Sequence, residues 1–199
     1  MSTRSQRGAT LVIALIMLVL LTLFAISALN TSTTNLKVVG NMQARTEAFN
    51  AAQQGIDTVI SRTLFVDTPA NAVVNPCGAA NQLCIDKDGQ PTTVLANSYY
   101  TTKISGAPFD PVKPSCITAR PIQNSELLPF SIPEDADCAV GYKQGGWAMG
   151  SPPGDSLCAN AVYQITAETT AVSGAKATVT QGIGIRVSTA KMEEQCVSP

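Results

Sequence analysis

Histidine is absent from this chain, and no charged side chain stands between Arg7 and Lys37. The first absence removes the commonest general base and a common metal ligand. The second leaves a stretch that no soluble surface would tolerate. Aromatic residues are 5 % of the composition and charged residues 14 %, with a formal net charge of −1. Nucleic acid, which needs clustered cations with interleaved aromatics, is therefore excluded as a partner. The six cysteines contain no C-x-x-C pair, so zinc-ligand spacing is missing and no metal site is expected. Proline is missing from Ala9 to Thr68, so nothing there forbids one long helix.

What fills that stretch is apolar. After Arg4 and Arg7 comes Gly8, then Ala9-Thr10-Leu11-Val12-Ile13 through to Leu29. A helix over those 21 residues rises roughly 31 Å, enough to cross a hydrocarbon core. Thirteen of them are Leu, Ile, Val or Phe, which on an insertion scale sum to about −4 to −8 kcal/mol. The segment belongs in a bilayer or against other segments like itself. With both arginines on the short side, the positive-inside rule leaves the N-terminus cytoplasmic and sends the rest outward.

The outward portion is built for an oxidising compartment. Cys77, Cys84, Cys116, Cys138, Cys158 and Cys196 all lie beyond the apolar run and are even in number. From Leu36 to about Phe65 the apolar residues take helical spacing: Met42, Phe49 and Ile56 recur at sevens, with Ala52, Val59 and Ile60 on the same face. Arg45, Glu47, Gln54, Asp57 and Arg62 fall mainly elsewhere. One helix is expected, apolar all round in its first half and one-sided in its second, ended by Asp67-Thr68-Pro69. A one-sided helix needs a domain laid along it.

Residues 69–92 are rich in Asn, Gly, Ala and Pro, with a turn at Asp88-Gly89. Thr92 to Ile104 is a β-rich run around Tyr99 and Tyr100. Residues 105–157 hold eight prolines and predict irregular structure, with short extended pieces at Cys116–Ala119 and Gly146–Met149. Ala161–Val172 and Ala175–Val187 alternate as two strands of a hairpin, turned at Ser173-Gly174, with Val162, Ile165 and Ala167 assigned to the apolar side of the first. Gly182 and Gly184 predict a bulge or a close approach to the helix. The hairpin also guides the expected disulfides. Cys158 and Cys196 flank its open end, Cys77 and Cys84 close a local loop, and Cys116 with Cys138 remains.

The segment Gly40-Asn41…Arg45…Ala48-Phe49…Ala51-Ala52-Gln53…Gly55-Ile56, behind a short basic leader ending in Gly8, resembles the N-terminal segment of PilX-type minor pilins of bacterial type IV pili. The likeness covers roughly residues 4–60. It implies an α+β, pilin-like fold: a long N-terminal helix on a C-terminal antiparallel sheet with disulfide-braced loops. Residues 1–8 would be a leader, 9–36 a transmembrane and filament-core helix, and 37–199 a periplasmic or extracellular head. Prepilin peptidase would cut between Gly8 and Ala9 and methylate the new amine. Leu11, Ile13 and Leu15 would pack in the filament. The implied partners are other minor pilins, the major pilin and a large tip adhesin; the implied outcomes are pilus biogenesis, twitching motility and surface attachment. Two departures stand out. Most pilins have Phe or Met where this chain has Ala9, and Glu where it has Ile13. Gln53 also stands where family members often have an acidic residue.

Other readings are weaker. A signal peptide has a shorter apolar region and a small-residue cleavage site, for which Ser27-Ala28 is poor. A single-span anchor carrying a periplasmic interaction domain explains the apolar run and the cysteines but not the leader or the one-sided extension. Ser173-Gly174-Ala175-Lys176 matches a nucleophile-base spacing that needs a helix start, yet it falls on a turn without its partner motifs. Asp86-Lys87-Asp88-Gly89 lacks the distal glutamate of a calcium loop. Gly182-x-Gly184 lacks a third glycine and a helix. Glu134, Asp135 and Asp137 read as a solvated loop, and Trp147 as a core or loop anchor. No catalytic residues and no cofactor are expected.

Overall fold

The computed structural model describes residues 9–140 and 153–196. Gly8 with the leader, the Gly146–Met149 piece and Trp147 lie outside the described residues. Helix α1 runs from Ala9 to Ile60 without interruption. The chain divides into two units, residues 1–44 and 45–199. In the first, the described side chains from Leu11 to Gln43 are all exposed. Such a helix is stable in lipid or among similar helices and in no other setting.

The second unit is an antiparallel sheet with one turn-rich helical face. Its strands are β1 (Gln82–Ile85), β2 (Pro91–Thr92), β3 (Tyr100–Ser105), β4 (Ser115–Gln123), β5 (Asp155–Ala171) and β6 (Lys176–Ser188). The order is β2-β1-β3-β5-β4, with β6 on the other side of β5. The long β5 organises everything. One edge pairs with β3 through residues 166–171 and with β4 through residues 155–164; the other pairs with β6 from Cys158 to Thr170. This is the α+β layout of a pilin: a long apolar helix, an antiparallel sheet and three disulfides.

The C-terminal part of α1 buries Ala48, Ala51, Ala52, Gly55, Ile56 and Val59. Ala52, Ile56 and Val59 lie on it as expected, but Phe49 and Met42 are exposed. The small residues win because they let the helix backbone approach the sheet. A Cβ on Gly55 would lie 2.7 Å from the Thr102 methyl on β3. Thr102 cannot yield easily, being fully buried and bonded to Thr169 at 2.7 Å.

The helix also ends sooner than expected. It stops at Ile60, and a single turn, α2 (Leu64–Asp67), follows. The break turns Phe65 and Val66 into the core, where Phe65 meets Tyr163 edge-on with ring centroids 5.5 Å apart. Burial of two large apolar side chains outweighs one more turn of helix. On β5 the buried apolar residues are Ala159, Ala161, Tyr163, Ile165, Ala167 and Ala171, so Val162 belongs to the opposite face. Gly182 and Gly184 make neither a bulge nor a close contact. β5 and β6 pair without register shift, and a Cβ at either glycine would meet open space.

Candidate assembly surfaces and the braced head

In the first unit Leu11, Ile13 and Leu15 are 70 %, 60 % and 58 % exposed, among neighbours that are likewise apolar and uncovered. Ala9 begins the helix. Polar groups here are self-satisfied: the Thr22 hydroxyl donates to the Val19 carbonyl at 2.8 Å. By length and composition the helix can cross a membrane.

The head is held by three disulfides, and two differ from expectation. Cys77–Cys84 closes the local loop as the spacing indicated. The others are Cys116–Cys196 and Cys138–Cys158, not Cys158–Cys196 and Cys116–Cys138. The reason lies in two short helices that the sequence did not announce. After β6, α4 (Thr189–Gln195) carries the chain toward β4, where Cys196 bridges to Cys116 in the main core. Cys158 belongs to a second cluster with Ile122, Leu127 and Ala139, beside α3 (Pro133–Cys138).

Asn81 ties together segments far apart in sequence. Its backbone is left-handed, φ 56°, and its side chain is buried. Oδ1 accepts from the Ala72 N–H at 2.6 Å, while Nδ2 donates to the Pro69 and Val112 carbonyls at 2.9 and 3.1 Å. Its own carbonyl accepts from the Ile104 N–H. Only its place before a short apolar run, Leu83-Cys84-Ile85, hinted at this.

An ion pair and a hydrogen bond to a carboxylate brace the sheet at Arg186 and at Tyr100. Asp135, expected in a solvated loop, is buried and receives Arg186 of β6 and the Leu128 N–H. Burial alone would raise its carboxyl; the Leu128 and Arg186 bonds and the guanidinium charge outweigh it and hold the group below the usual range. The Tyr100 hydroxyl donates to Glu47 of α1 at 2.8 Å. Burial, then that bond and the Glu47 charge, push the phenol up to about 12.

The remaining candidates do not assemble into chemistry. Ser173 sits exposed on the β5–β6 turn and Lys176 exposed at the start of β6. Asp86 turns its carboxylate inward on its own loop, accepting from the Asp88 and Gln90 N–H groups. Among the described residues no three His, Cys, Asp or Glu side chains group as metal ligands. A cleft of about 630 Å³ lies over Tyr163 between Phe109, Ile117 and Glu194. Its floor is closed by the Tyr163 hydroxyl donating to Gln195 at 2.9 Å. Burial, then the charges of Asp67 and Glu194, raise that phenol, which suits a structural hydrogen bond better than proton transfer.

The family described as PilX N-terminal matches residues 7–57. No curated protein and no solved structure matches the chain. The matched span takes in the exposed apolar half of α1 and nearly all of its buried half, so residues 7–57 are similar to the N-terminal segment of PilX-type pilins.

Proposed function

We propose that this protein is a minor pilin that sits near the pilus tip, in the complex that primes assembly, and thereby supports pilus extension, twitching motility and attachment. One observation carries the reading: within the matched segment, a helix uncovered on every side continues directly into a helix buried by a disulfide-braced head. A filament subunit needs a rod that lipid and a bundle of rods can both solvate. Before assembly the apolar half lies in the inner membrane with the N-terminus cytoplasmic. Prepilin peptidase cuts after Gly8, a residue whose bare backbone gives access, and Ala9 becomes the methylated first residue. The head then meets other minor pilins, the major pilin and a large tip adhesin.

Ile13 supports that position. A pilin with Glu there buries a carboxylate that must be paired, at a cost of several kcal/mol if it is not. A subunit with Ile13 tolerates having no such partner, which suits the end of a filament. Ile13→Glu is expected to lower piliation and recovery of the tip complex; unchanged piliation and complex would remove the meaning given to this residue. The function itself is tested by mass spectrometry of the mature N-terminus and by its presence in sheared fibres. Methylated Ala9 in fibres is the expected result. A retained Met1 or Ser2 would make the chain a plain membrane anchor, and a start near Leu29 would mark a signal peptide.

A further inference from the structure

Natural sheets protect their edges with short strands, proline, bulges or covering elements. Two boundaries of this sheet show those devices. β2 is two residues long and contains Pro91. β4 carries Pro121 and two register shifts, and the Cys116–Cys196 bridge with α4 lies against it. β6 is long, and although α4, which follows it directly, touches it, the strand lacks the other devices. It pairs with β5 alone over thirteen consecutive residues, contains no proline or bulge, and has no charged residue between Lys176 and Arg186. Its outer edge is unpaired among the described residues.

We propose that β6 is an interaction edge, onto which an extended segment of another pilus component adds as a further strand; this rests on the pilin reading above. Backbone N–H and C=O groups along an open edge are satisfied by a strand and by nothing helical. The side chains define that strand further. Val179, Ile183 and Ile185 pack on the core but are only half-buried, so an added strand covers them with apolar residues at every second position. On the other face Gly182 and Gly184 leave room beside them, which admits bulkier side chains from the incoming segment. Arg186 is already committed to Asp135, so Lys176 is the cation on β6 that an acidic residue of the partner would meet.

The test places a photo-crosslinking amino acid at Thr178, exposed on β6, or at Val94, exposed away from it, in the full chain expressed in cells that assemble fibres. Adducts are mapped by mass spectrometry, and amide exchange is compared between sheared fibres and the chain alone in detergent. The proposal expects a Thr178 adduct with one extended segment of another fibre subunit, none from Val94, and exchange of the 177–187 amides slowed at least about tenfold in fibres. A Thr178 adduct with a second copy of this chain, with lipid or with a helix overturns it. So does a chain recovered in fibres with no adduct and unprotected amides. A chain absent from fibres, yet crosslinked through Thr178 to a non-pilus strand, overturns the pilin reading and the named occupant together.

Discussion

At the scale of single residues, stability concentrates where a polar side chain has been buried with every partner supplied. Asn81 is the clearest case, since its conformation and its bonds can be separated by substitution. Asn81→Gly keeps the left-handed backbone but strands the Ala72 N–H and the Pro69 and Val112 carbonyls. A loss of about 2–4 kcal/mol is expected in urea unfolding of the full chain in detergent. Asn81→Ala is expected to lose about 1 kcal/mol more, because alanine resists positive φ. Equal losses for both would show that backbone strain contributes nothing. Tyr100 makes a different prediction, in pH. Its phenol is raised from 10.0 to about 12 in the folded state, so the native protein holds that proton more tightly than the unfolded chain. The contribution is therefore complete below pH 10.0 and is lost as pH climbs through about 12. Tyr100→Phe is expected to cost roughly 1 kcal/mol at neutral pH by releasing Glu47. It should also flatten the alkaline decline seen in unfolding midpoints; an unaltered slope would mean that another group controls it.

Among elements, the disulfides act through the lengths of chain they close. Cys116–Cys196 spans 80 residues, Cys138–Cys158 spans 20 and Cys77–Cys84 spans 7. Loop entropy gives about 4.5, 3.3 and 2.5 kcal/mol in that order. Paired Cys→Ser variants are expected to lose stability in the same order, read from denaturant midpoints; a larger loss at the shortest loop would point to local packing instead. This ordering depends on two pairings, Cys116–Cys196 and Cys138–Cys158, that the sequence did not disclose. The β5–β6 hairpin was legible because alternation and Ser173-Gly174 are local signals. The long helix was legible because periodicity and missing proline are local too. Cys196 was not, since its partner is chosen by α4, a seven-residue helix whose direction depends on the finished sheet. β1 was hidden for a similar reason: four residues carry no period of their own, and pairing with β3 makes them a strand. The buried face of α1 was read correctly at Ala52, Ile56 and Val59 but was drawn too far toward Phe49 because hydrophobic size dominated the pattern, whereas close approach at Gly55 selected Ala48 and Ala51. Asp135 looked solvated in a run of acids, and its charged partner, Arg186, stands 51 residues later on β6.

For the whole molecule, the division between rod and head predicts what each can do without the other. Every buried residue among those described lies beyond Ala44, and the core cluster draws on α1 from Ala51 to Val59. Nothing in that core uses the apolar residues from Leu11 to Val39. The rod is therefore a solvent-matching device: it costs little in lipid or in a bundle, and in water it exposes a continuous apolar surface that drives association. A chain beginning at Arg45 keeps the helix face, the sheet and all six cysteines. Exported to an oxidising compartment, it is expected to be soluble without detergent, to form the three native disulfides, and to unfold in one cooperative step. The full chain is expected to require detergent under the same conditions. Size-exclusion chromatography, disulfide mapping and urea unfolding check each part. If the shortened chain aggregates or scrambles its pairings, the head needs the rod to fold, and the two could not be exchanged between lipid and fibre as a handle and its load. If it folds, the pilin reading proposed above expects the same fragment to remain outside fibres, because on that reading the removed rod is what packs a subunit into the filament.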